Sequence, residues 1–287
     1  MDKQYRLGVL CILGATLAWS SAGLIARVAA TPPATTLFWR SSFACLFLFA
    51  QTALTDRRGF LPSFRRIGWD GLAMVVAWAL SMAAFISALT FMRVANVLVF
   101  QASAPFIAAL LAWVALGERP GGATAAAIGV SLVGVAVMVS GSFGPNDLVG
   151  DALSVVMGIS FAVTIVLARG RPQMPLGTVT ALAMLLTAGG SLPWADLAPG
   201  WQPFLLLAAF GIGQMGLGTL LFTMGARRLP AADAGLLSVL ETVLGPLWVW
   251  LAVDERPDAN ALLGGSLVIG AVIAAGFAEQ RRRAALV

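Results

Sequence analysis

Within the run LLSVLETVLGPLWVW (236–250) one residue carries charge, Glu241, and the rest is apolar or weakly polar. A carboxyl in such a place serves to bind a cation, to exchange a proton, or to hydrogen-bond a neighbour, because leaving it unpartnered in an apolar medium costs about 3 kcal/mol or more. Ser238, Glu241, Gly245 and Trp248 recur at spacings of three and four, which places them on one face of a helix. An earlier apolar segment presents Gln101, Ala104 and Ala108 at equivalent positions, and Gln214 supplies a second amide further on. Aromatic and thioether side chains fall in the same kinds of segment: Trp19, the stripe Met74, Trp78, Met82 and Phe85, and Phe161 followed by Thr164. Such a set suits a small amphipathic ligand. Trp19, Trp78 and Phe161 would take an apolar side chain, and Glu241 or a glutamine would take an ammonium. Gln101, Gln214, Ser238 and Thr164 also suit a plainer role as hydrogen-bond glue between helices, and Trp19 and Trp78 as packing.

Several chemistries are excluded by composition. The chain has no histidine, so histidine-based metal sites and Ser-His-Asp or Cys-His catalysis are out. Lys3 is the only lysine, which rules out a phosphate loop of the G-x-x-x-x-G-K type. The two cysteines, Cys11 and Cys45, stand in apolar runs and read as small buried hydrophobes. Gly211, Gly213 and Gly216 match G-x-G-x-x-G, but inside an apolar span and without a preceding strand, so they point to close helix packing or a flexible point rather than to a nucleotide. No catalytic residue, metal or cofactor is expected.

The elements that must position these residues are membrane helices. Hydrophobic residues make up 59% of the 287 and charged ones 11%, far below the quarter or so of a soluble domain, so lipid must face most of the chain. Ten apolar segments are long enough to span a bilayer: 7–29, 35–54, 68–92, 94–116, 122–141, 149–169, 175–195, 202–226, 230–252 and 259–278. With the N-terminus in the cytoplasm, fourteen Lys and Arg fall inside and Arg27, Arg93 and Arg256 outside, which predicts that both termini are cytoplasmic. Arg40, toward the outer end of span 2, is expected to snorkel to the interface. The net charge of +5 is then a topology signal, and nucleic acid is not an expected partner. Spans 5 and 10, rich in Ala, Gly and Val, are expected at the periphery.

The spans repeat. LGVLCILGATLAWSSAGLIAR (7–27) aligns with VGDALSVVMGISFAVTIVLAR (149–169), and WVALGERP (113–120) with WLAVDERP (250–257). Five spans per repeat is an odd number, so the two halves, 1–145 and 146–287, are expected to be inverted relative to one another, an organisation typical of secondary transporters that bind substrate near mid-membrane. The expected fold is an all-α integral membrane protein of ten helices in two inverted five-helix repeats.

Ten spans as five plus five, Pro105 ahead of Gly117-Glu118-Arg119 in span 4, and a following G-x4-G span resemble the EamA type of the drug/metabolite transporter superfamily. The pattern is similar to bacterial amino-acid exporters, including the branch that exports aromatic amino acids. The resemblance implies an inner-membrane exporter of small metabolites, foremost amino acids with apolar or aromatic side chains, with the bilayer and a small-molecule substrate as partners and no enzymatic activity. An exporter of drugs or other metabolites, and a passive channel, are the alternatives, and oligomeric state is left open. Such families often read Glu-Pro where this chain has Glu241-Thr242; Pro246 follows four residues later, so any helix break in span 9 is expected to be displaced.

Overall fold

The computed structural model of the chain describes residues 3–55, 67–117, 121–140, 145–171, 173–229 and 231–284. Most of the loop between spans 2 and 3, and Glu118-Arg119-Pro120, lie outside the described residues. All regular structure among the described residues is helical: α1 (Lys3–Ser20), α2 (Ala22–Ala29), α3 (Pro33–Thr55), α4 (Gly68–Phe91), α5 (Val94–Ala102), α6 (Ala104–Leu116), α7 (Gly122–Val139), α8 (Pro145–Gly170), α9 (Leu176–Ser191), α10 (Trp201–Ala209), a π-helical stretch (Phe210–Leu217), α11 (Gly218–Ala226), α12 (Ala231–Ser238), α13 (Leu240–Val253) and α14 (Ala259–Ala284). Nine stretches among them are long and apolar enough to cross a membrane; the tenth expected span is divided, and its α13 half is a shorter apolar helix.

Helix is the only economical conformation for such segments in lipid, since every backbone N–H and C=O must be satisfied within the segment. Helix-breaking is therefore informative. Span 1 is interrupted at Ser21, span 4 at Ser103, span 9 at Val239, and span 8 winds as a π-helix through its middle. The other spans run without a break.

Packing follows the repeat. α1 packs against α11 (span 1 on span 8), and α4 against α8 (span 3 on span 6). Exchanging the halves converts one pair into the other. Three further pairs are their own exchange partners: α3 with α9, α5 with α13, and α7 with α14. The pair α7/α14 lies at the edge, each helix largely open to the lipid side, as their composition predicts. There the backbones approach so closely that a Cβ on Gly264 would strike the Gly134 carbonyl, the small-residue contact that serves in place of a hydrophobic driving force in lipid. Trp69, Trp194 and Trp201 are exposed at element ends, where an aromatic belt meets the interface.

Candidate functional site

The two broken helices of the pseudo-symmetric pair meet face to face. In span 4 the break precedes Pro105, which has no N–H to continue the i→i−4 ladder. Ser103 closes the gap, its hydroxyl donating to the Phe100 carbonyl at 2.7 Å. In span 9 the break is not displaced toward Pro246, contrary to the sequence expectation: it lies at Val239, and Pro246 sits inside α13. The physical reason is Thr242. Its backbone N–H and its hydroxyl both donate to the Val239 carbonyl, at 3.0 and 2.7 Å, tightening the first turn of α13 where the related pattern has a proline.

Glu241 thus stands in the first turn of α13, buried, at the helix end that carries partial positive charge. Gln101, in the last turn of α5, donates its Nε2–H to Glu241 Oε1 at 3.3 Å. Beside this pair the break in span 1 adds a third: Trp248 Nε1–H donates to Ser20 Oγ at 3.0 Å. Gly245 admits Leu98, whose methyl occupies the place a side chain would need. The acid–amide pair thus joins the breaks of α5/α6 and α12/α13, and about 10 Å further along α13 the indole–hydroxyl pair joins it to the break of α1/α2.

A second cluster is built around Arg40, and here the structure corrects the sequence reading. Arg40 does not snorkel; it is 1% exposed, about 10 Å along α3 from Pro33. It donates from Nη2 to Gln214 Oε1 at 2.9 Å, lies 3.8–3.9 Å from the sulfurs of Met82 and Met215, and stacks over the Phe210 ring at 4.6 Å from its centroid. The π-helical stretch makes this possible: it brings Phe210, Gln214 and Met215 onto Arg40, and Gly211 rests against the Arg40 carbonyl. The glycine-rich motif of span 8 is thus a helix-packing device, as its setting in an apolar span suggests. Trp78, one turn from Met82 on α4, packs edge-on against Phe161 of α8 with ring centroids 5.4 Å apart.

Six of the ten expected binding residues meet in three contacts. Gln101 and Glu241 meet directly; Trp78 meets Phe161, and Met82 and Gln214 meet at Arg40. Trp19 lies apart, tilted on Phe222 at 5.0 Å and covering Gly218. Phe85 packs in a core cluster with Phe210 and Val94. The hydroxyls of Thr164 and Ser238 donate to carbonyls of their own helices, Phe161 and Ala234, at 2.6 and 2.9 Å. Arg40, Ser20 and Trp248 escaped the sequence reading as site residues. For Trp248 the signal was present, since it shares the helical face of Glu241.

The two ends of the bundle differ. At the end with both termini, an open pocket of about 760 Å³ is lined by Gln4, Gln51, Leu220, Thr223, Arg227 and Arg228 among others. At the other end, among the described residues, two ion pairs join the halves, Arg27–Glu255 at 2.7 Å and Arg93–Asp258 at 3.0 Å, while Arg171–Asp70 at 2.6 Å joins them at the end with the termini. Glu255 also accepts the Val94 N–H at 2.7 Å, and Arg27 donates to the Leu89 and Met92 carbonyls.

Paired discontinuous helices that present polar groups to each other in the interior of an internally repeated bundle define a membrane transport protein. The chain belongs to the EamA-like transporter family, whose model matches residues 6–140 and again 148–277. No curated protein is matched by the chain. A solved structure titled only "Crystal structure of protein" superposes with a TM-score of 0.69 at 20% identity, over 96% of this chain and 98% of that one, a likeness of fold.

Proposed function

We propose that the protein is a secondary transporter that exports small metabolites, foremost amino acids with apolar or aromatic side chains, across the inner membrane by alternating access of its two halves. The observation that carries this reading is the Gln101–Glu241 contact between the two broken helices. A buried carboxyl at the joint between pseudo-symmetric halves is placed to accept a substrate ammonium and to be relinquished as the halves move. Trp78 and Phe161 supply an aromatic corner for an apolar side chain. The positive-inside asymmetry supports cytoplasmic termini, and with them a cytoplasmic pocket at Arg227 and Arg228, from which an exported molecule would enter. The repeat boundary between residues 145 and 146 belongs to the same reading.

The test is counterflow in proteoliposomes with a panel of radiolabelled amino acids. Saturable uptake, accelerated by unlabelled substrate on the far side, is expected for those with bulky apolar side chains. Unsaturable flux with no trans-stimulation would instead identify a channel, and a change in the compound recovered would identify an enzyme.

A further inference from the structure

Arg40 is a buried cation whose charge no protein carboxylate meets: among the described residues none forms an ion pair with it. Guanidinium has five N–H donors and no acceptor. Here one N–H finds a good oxygen acceptor, Gln214 Oε1. Others face the thioether sulfurs of Met82 and Met215, which are weak acceptors, and the Nε–H, fully buried, has no partner. The indole Nε1–H of Trp78, one turn from Met82 on the same face of α4, is likewise fully buried and unpartnered. The two orphaned donors, both of a type that can only donate, are linked through α4: Arg40 meets Met82, and Trp78 stands one turn from it. Unmade hydrogen bonds of this kind are costly in an apolar interior, and a buried charge in a membrane helix that lacks a protein counter-ion marks a site where charge is met by something else.

We propose that Arg40 and the indole N–H of Trp78 form a subsite for the carboxylate of the transported molecule, with Gln214 orienting the guanidinium. The inference rests on the transporter reading above and extends it to substrate class: the cargo is a carboxylic acid. The two clusters then have complementary chemistry. Glu241 and Gln101 form an acidic and amide-lined site suited to an ammonium, while Arg40 and Trp78 form a donor-only site suited to a carboxylate. Trp78 serves both parts, its ring edge against Phe161 presenting aromatic surface while its N–H faces the acid. Phe210 and the methionines hold the guanidinium without neutralising it, so its charge stays available for the cargo.

The test uses the full chain, purified, with four probes that differ only in head group: phenylalanine, phenylalaninamide, 3-phenylpropionate and 3-phenylpropionamide. Binding is read as ligand-induced thermal stabilisation in detergent, and exchange as competition for phenylalanine counterflow in proteoliposomes. The wild type is expected to favour each carboxylate over its amide by about 10-fold or more, the strength of a charge-assisted hydrogen-bond pair. Arg40→Gln is expected to erase that ratio, Arg40→Lys to keep part of it, and Trp78→Phe, which retains the ring and removes the N–H, to reduce it. A purely structural Arg40 would lower stability in the variants and leave the acid-to-amide ratio where it was. The wild-type ratio decides the matter even where a variant fails to fold: equal response to acid and amide, or no carboxylate response at all, overturns the subsite. Exchange of phenylalanine with no acid-to-amide preference would overturn the subsite and leave the amino-acid reading intact. Arg40-dependent binding of 3-phenylpropionate without any binding of phenylalanine would uphold the subsite and overturn the amino-acid reading.

Discussion

Glu241 and Arg40 are single charges inside apolar helices, and the structure accommodates them by different means. Glu241 is held by a helix N-terminus and by the Gln101 amide; Arg40 is held by one amide oxygen, an aromatic face and two sulfurs. Glu241→Gln keeps the size and the hydrogen bond to Gln101 but cannot give up a proton. If Glu241 exchanges a proton for the substrate ammonium, the variant is expected to lose pH-gradient-driven accumulation while retaining some downhill counterflow. Accumulation at the wild-type level under the same gradient would end the coupling idea, and a loss of both activities would assign Glu241 to substrate binding alone. Trp78→Ala is expected to weaken transport of bulky apolar substrates more than of small ones, because removed aromatic surface matters only to a side chain that reaches it. Equal losses across substrate sizes would assign Trp78 to packing. Glu241 was conspicuous in the sequence, since a charge in mid-span needs no neighbour to stand out, but the repeat pairs it with Ala104 and pairs Gln101 with Ser238, so its contact with Gln101 was not legible. Nor was the setting of Arg40. Distance from the end of a span cannot tell an arginine that faces lipid from one that faces another helix, and apart from Met82 its partners come from span 8, 174 and 175 residues away for Gln214 and Met215, wound in a way no local pattern marks.

At the scale of elements, the spans were legible because a run of apolar residues has one viable conformation in lipid, and the repeat was legible because it is written twice. The positions of the breaks were only partly so. In span 4 Pro105 stands at the break, whereas in span 9 Pro246 misleads: a proline inside a helix loses one backbone bond and can still be carried, while Thr242 closes a tighter turn earlier on. The contact between α7 and α14 offers a test of the packing. Gly264→Leu would drive a side chain into the Gly134 backbone, and a loss of roughly 1–3 kcal/mol is expected, the usual cost of overpacking. Since neither helix contributes to the Glu241 or Arg40 cluster, counterflow by the protein that does fold should keep its substrate preference. An altered preference would show that this peripheral pair shapes the site.

For the molecule as a whole, alternating access requires that contacts joining the halves at one end be broken as those at the other form. The end remote from the termini is joined by Arg27–Glu255 and Arg93–Asp258, with Glu255 also holding the first N–H of α5. Arg93–Asp258 is exposed, and such pairs contribute little, about 0–1 kcal/mol; Arg27–Glu255 is half-buried and tied to backbone groups, so it is the firmer part of a latch that must still open. In a background with Cys11 and Cys45 replaced by alanine, a cysteine at Ser20, beneath this latch at the break in span 1, reports access from that side. Glu255→Ala is expected to raise the rate of Ser20→Cys modification by a membrane-impermeant maleimide added outside intact cells, because the closed arrangement loses both the arginine and the α5 N-terminus as partners. Two further single cysteines fix the frame. Ala198→Cys, in the segment after α9 at the Glu255 end, should be labelled from outside in every background, and Arg228→Cys, at the open pocket, should be labelled only after the membrane is permeabilised. Labelling of Arg228→Cys in intact cells would reverse the orientation drawn from the arginine and lysine distribution, and with it the side from which cargo enters. Unchanged Ser20→Cys modification after Glu255→Ala, with the orientation upheld, would show that the gate at this end rests on the apolar packing of α2 and α5 rather than on its ion pairs.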